Sequence, residues 1–81
     1  MKIKITQSDI DNGEGGSCVA CPIARAIRRS ARSKIKAVRV QKRYFSLNGR
    51  FYDLPKEAQT FIMKFDKQGD VKPFEFNIKL R

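Results

Sequence analysis

From Gly15 to Tyr52 the chain contains no Asp or Glu, yet it carries ten basic residues: Arg25, Arg28, Arg29, Arg32, Lys34, Lys36, Arg39, Lys42, Arg43 and Arg50. Nothing within this stretch can neutralise those charges. Each helix or strand in it must therefore be amphipathic, one apolar face turned inward and the cations kept in water. The other eight basic residues are balanced by eight acids, all outside the block, so the net charge of +10 belongs to the middle of the chain. A surface made only for solubility mixes both signs. A one-sided block sets up a field that attracts polyanions and repels copies of itself.

The apolar pattern divides the chain into short elements. Lys2-Ile3-Lys4-Ile5 alternates as a half-buried strand does. Thr6-Gln7-Ser8-Asp9 is a capping box with Asp in place of Glu, and Gly13 is placed to close one helical turn in the left-handed region. Pro22 suits the first turn of a longer helix, in which Ala20, Ile23, Ala24, Ile27 and Ala31 share one face and Arg25, Arg28, Arg29 and Arg32 the other. Further on, Val38 and Val40 point inward while Lys36, Arg39, Gln41 and Arg43 point mostly outward. The parity slips before Phe45 and Leu47, which predicts a bend or bulge at Lys42-Arg43. Asn48-Gly49 is a two-residue hairpin turn that sets Phe45 opposite Tyr52. Asp53 and Pro55 open a second long helix with Ala58, Phe61, Ile62 and Phe65 on one stripe, ending near Gly69. Phe74, Phe76, Ile78 and Leu80 alternate in a last strand.

This order predicts a single small domain, residues 1–81, of the α+β class: a two-layer sandwich of a four-stranded antiparallel or mixed sheet with two helices on one face. The element order fits a split β-α-β, ferredoxin-like arrangement. The expected core is Ile3, Ile5, Ile23, Ile27, Val38, Val40, Tyr52, Leu54, Phe61, Ile62, Phe65, Phe74, Phe76 and Ile78.

Catalytic chemistry is poorly provided for. There is no His, the acids show no paired spacing, and so small a domain has little room for a deep cleft with its supporting shell. We therefore expect no enzyme activity and no cofactor. Cys18-Val19-Ala20-Cys21 has redox spacing at a helix start but lacks a strand leading into that helix, so structural thiols are expected. Zinc needs four ligands, and only a dimer sharing Cys18 and Cys21 from each subunit would supply them. Gly13-Glu14-Gly15-Gly16 is not followed by the Gly-Lys-Ser/Thr of a phosphate loop. No long apolar run marks a membrane span and no secretory pattern opens the chain, which predicts a cytoplasmic protein with reduced cysteines.

The arginine stripe is the strongest functional signal. Arg25 and Arg29, like Arg28 and Arg32, are like-charged i, i+4 neighbours that weaken an isolated helix, and the planar guanidinium suits phosphate or carboxylate capture. Tyr44, Phe51 and Arg43 near the hairpin are placed to stack on unpaired bases, although cross-strand core packing accounts for aromatic residues there equally well.

Several strings also carry a family likeness: Ile5-Thr6-Gln7-Ser8-Asp9-Ile10-Asp11-Asn12-Gly13, Cys21-Pro22-Ile23-Ala24-Arg25-Ala26-Ile27, Tyr52-Asp53-Leu54-Pro55-Lys56-Glu57-Ala58, Phe61-Ile62, Phe65-Asp66 and Val71-Lys72-Pro73-Phe74-Glu75-Phe76. In these the chain resembles a group of small proteins of uncharacterised function encoded by bacteriophages and prophages. The resemblance implies a phage origin and action on host machinery or host defence in the bacterial cytoplasm. Of the arginine stripe, only Arg25 falls within a matching string.

Three partners follow from the charge. The leading expectation is nucleic acid, held through phosphates by Arg25, Arg28, Arg29, Arg32, Lys36, Arg39, Lys42 and Arg43. The same face would also dock on an acidic surface of a host or defence protein. In an oligomer it would line a pocket for a nucleotide messenger.

Overall fold

The structure, a computed structural model, describes residues 2–31 and 37–78. Strand β1 (Lys2–Ile5) alternates exposed Lys with buried Ile and leads directly into the short helix α1 (Gln7–Asn12). The capping box forms: the Asp9 amide donates to the Thr6 hydroxyl at 3.3 Å, and the Thr6 amide donates to the Asp9 carboxylate at 2.9 Å. Gly13 is extended rather than left-handed, with φ −78°. Its glycine is required by close approach: a Cβ there would lie 2.6 Å from Pro22 Cδ and 2.7 Å from the Asp9 carbonyl oxygen.

Helix α2 (Pro22–Ala31) starts on proline, and Cys21 before it caps the first turn by accepting the Ala24 amide on Sγ at 3.4 Å. Its buried face comprises Ile23, Ala24, Ala26 and Ile27. This face packs against β1, α1 and the next strand, β2 (Val38–Val40).

Strands β2, β3 (Tyr44–Leu47) and β4 (Arg50–Asp53) form one antiparallel sheet in that order. The parity change is therefore a turn and not a bulge. Gln41 donates its amide to the Tyr44 carbonyl at 2.8 Å across Lys42-Arg43, and the chain reverses there into a separate strand. Phe45 and Leu47, absent from the expected core, consequently share the inner side with Val38 and Val40, and Phe45 is fully buried. The Asn48-Gly49 turn has φ 50° and 86°, as a two-residue hairpin of this twist requires. Phe45 faces Tyr52 as expected, their rings stacked at 5.3 Å.

Helix α3 (Lys56–Asp66) follows Pro55 and buries Ala58, Phe61 and Ile62. Its end is a Schellman turn in which the left-handed residue is Gln68, φ 61°, one position before the glycine expected to end it. Gly69 donates to the Lys64 carbonyl at 2.7 Å and Gln68 to that of Phe65 at 3.0 Å. Strand β5 (Phe74–Asn77) returns antiparallel to β1.

The molecule is thus α+β, with three helices and two antiparallel sheets among the described residues, in place of the expected single four-stranded sheet. Pairing of the first strand with the last suits a split order, but no described strand pair joins the two sheets. One core unites them, holding every residue expected there except Phe65 and Phe74, which are half-buried at its rim against Phe61. Leu80 and the Ala31 side chain lie outside the described residues.

Candidate nucleic-acid interface

The arginine stripe of α2 does not present itself to solvent as a unit, because Asp9 draws part of it inward. Asp9 follows β1 on the first turn of α1 and is fully buried, the only buried charged residue among those described. Arg29 grips it with both prongs, Nη1 to Oδ1 and Nη2 to Oδ2, each at 2.7 Å. Nη2 also donates to the Lys4 carbonyl at 2.7 Å, so one guanidinium ties α2 to both α1 and β1. Arg25 approaches from the previous turn, its Nε 3.7 Å from Asp9 Oδ1, too far for a hydrogen bond; this buried Nε has no hydrogen-bond partner among the described residues. Burial alone would push the Asp9 carboxyl up. The Arg29 hydrogen bond and charge, with the Thr6 amide and hydroxyl, outweigh it and hold the carboxyl below its ordinary range. Arg29 is pushed up by the same hydrogen bond.

The expected site therefore divides. Arg25 and Arg29 converge on Asp9, and three of the five guanidinium N–H donors of Arg29 are taken. Arg28 stands exposed on the solvent side of α2, with no carboxylate in ion-pair range among the described residues. Arg39, Lys42 and Arg43 are exposed along β2 and the turn after it, likewise without an ion pair among the described residues. The Arg39 guanidinium lies against Cys18 Sγ at 3.4 Å. Arg32 and Lys36 lie outside the described residues.

Alternation along the three-stranded sheet gives it two unlike sides. Val38, Val40, Phe45, Leu47 and Tyr52 close the inner one. On the outer side the register places Arg39, Ser46 and Phe51 in one row and Tyr44 beside Asp53 in the next. Phe51 is 60% exposed and Tyr44 42%, and their rings meet edge-to-face at 5.6 Å. Core packing thus accounts for Phe45 and Tyr52 but not for Tyr44 and Phe51. Beside the Lys42-Arg43 turn, a groove of about 510 Å³ runs to Gln59, Met63 and Asp66 on α3 and to Lys67 at its end, with Met63 exposed.

The two cysteines differ in exposure, Cys18 being half-buried beside Arg39 and Cys21 buried at the start of α2. Cys21 is buried, which pushes its thiol up, away from the reactive thiolate. Both thiols are free, and no group of three or more potential metal ligands occurs among the described residues. No helix among them is long and apolar enough to cross a membrane. No protein-family model matches the chain, and neither a curated protein nor a solved structure does.

Proposed function

We propose that this is a non-enzymatic nucleic-acid-binding protein of phage type, working in the host bacterial cytoplasm. The observation that supports it best is the sheet edge formed by Arg39, Lys42 and Arg43: exposed, free of ion pairs among the described residues, and continuous with the outer sheet face on which Arg39 lies beside Ser46 and Phe51. A polyanion satisfies such a row by releasing its own counterions, which makes binding tight at low salt and weak at high salt. Arg28 adds a cation from α2. Arg25 and Arg29 are given to Asp9, so the phosphate count is smaller than the bare stripe suggests.

Fluorescence anisotropy of a labelled oligonucleotide against salt tests this reading. Each lost phosphate contact lowers the slope of log K against log salt by about 0.7 for a single strand. Replacing Lys42 and Arg43 together by Ala is expected to weaken binding to all sequences alike and to reduce the slope by about 1.4. A wild type that binds no DNA or RNA at low salt overturns the reading. Docking on an acidic protein surface, which uses the same cations, would then lead.

A further inference from the structure

We infer that the outer face of the three-stranded sheet is a stacking platform for single-stranded nucleic acid, with Phe51 as the principal base contact and Tyr44 beside it. The inference rests on the nucleic-acid reading above and specifies the form of its ligand. Its starting point is an exposed aromatic pair that the fold does not use. The inner side of the same strands is already filled by Phe45, Leu47 and Tyr52, each no more than 6% exposed. Phe51 and Tyr44 therefore contribute little to the core, and a 60% exposed phenyl ring is unfavourable in water unless something covers it.

Three features favour a single strand as that cover. The rings meet at 64° rather than stacking on each other, which leaves ring surface open to another planar group. Arg39 lies in the same cross-strand row as Phe51, with only Ser46 between them, so a cation stands within two strands of the stacking ring. The chain from Gly15 to Tyr52 has no acid, and Asp53 bounds the platform at the Tyr44 end. A base offers a flat face to Phe51 while its phosphate reaches the cations. A duplex keeps its bases stacked inside and offers only backbone to a flat sheet.

The test compares an oligothymidylate of about 20 nucleotides with a duplex of the same length, by anisotropy at low salt. Wild type is expected to bind the single strand more tightly. Phe51→Ala is expected to lower single-strand affinity by about tenfold or more while leaving the salt slope and the duplex affinity unchanged, and Phe51→Tyr to retain it. The chain has two Tyr and no Trp, and Tyr52 is buried, so quenching of tyrosine fluorescence by the oligothymidylate is expected and should disappear in Tyr44→Phe. Circular dichroism confirms that each variant is folded. If a folded Phe51→Ala binds the single strand as wild type does, or if wild type prefers the duplex, the platform is refuted and the charge-based reading survives. If wild type binds neither, both fall. If wild type is a dimer that Phe51→Ala dissociates, the face belongs to a second copy and the platform is again refuted.

Discussion

Arg28 and Arg29 are neighbours on one helix with one chemistry, and the structure assigns them opposite consequences. Arg29→Ala removes both prongs from a fully buried carboxylate and the donor to the Lys4 carbonyl. Breaking a buried ion pair from one side costs about 3–5 kcal/mol. The lower end applies, because the Arg29 side chain is 50% exposed and Asp9 keeps its two Thr6 hydrogen bonds. We therefore expect a loss of about 3 kcal/mol, a large share of the total stability of a domain this small. Arg28→Ala removes only an exposed cation and should stay within about 0.5 kcal/mol of wild type. Urea unfolding followed by circular dichroism reads the difference: with a slope of about 1 kcal/mol per M, Arg29→Ala should lower the midpoint by roughly 3 M and Arg28→Ala hardly at all. The pH dependence supplies a second check. The native Asp9 carboxyl titrates below its ordinary value of 3.8, so its stabilisation is complete above that value and is lost as pH falls from there through the lower native value. Asp9→Asn should flatten the stability profile in that acid window. Equal midpoints for the two Arg variants would refute the clamp.

Three further outcomes are expected. Cys21→Ser should fold normally, because Ser is a preferred helix cap, whereas Cys21→Ala should lose about 1 kcal/mol in thermal or urea unfolding. Gln68→Gly should raise stability by about 0.4–1 kcal/mol, since Gln68 holds a left-handed conformation that glycine adopts freely; a decrease would contradict the helix end described. Phe61→Ala should cost about 3–5 kcal/mol, because Phe61 is 6% exposed and packs against Phe65 and Phe74.

Local signals in the sequence were sufficient for most elements. The capping box at Thr6, the Asn48-Gly49 hairpin with Phe45 facing Tyr52, Pro22 at the start of α2 and the apolar stripe of α3 each depend on residues a few positions apart, and each forms. What depended on distant residues did not show. Lys42-Arg43 lacks the glycine or asparagine that usually marks a tight turn, so two strands read as one bent strand. Pairing of β1 with β5 joins the two ends of the chain, which no periodicity reports. The candidate site divides in the same way. An acid-free block implied that its arginines were free, yet Asp9, outside the block and already explained as a cap, captures Arg29 from twenty residues away. The one available signal was Asp at the N3 position of the box, where Glu is usual and a shorter side chain stays close to the helix. Tyr44 and Phe51 were ambiguous until the sheet register set them on its outer side.

The most direct measurement is an NMR titration of isotope-labelled protein with oligothymidylate, observing every backbone amide. Shift changes should concentrate at Arg39, Tyr44, Ser46 and Phe51 on the outer sheet face and at the Lys42-Arg43 turn, with Asp9, Arg25 and Arg29 little affected. Changes centred on the Arg25 and Arg29 face of α2 or on β1 and β5, or none at low salt, would contradict the assignment of this sheet as the nucleic-acid interface.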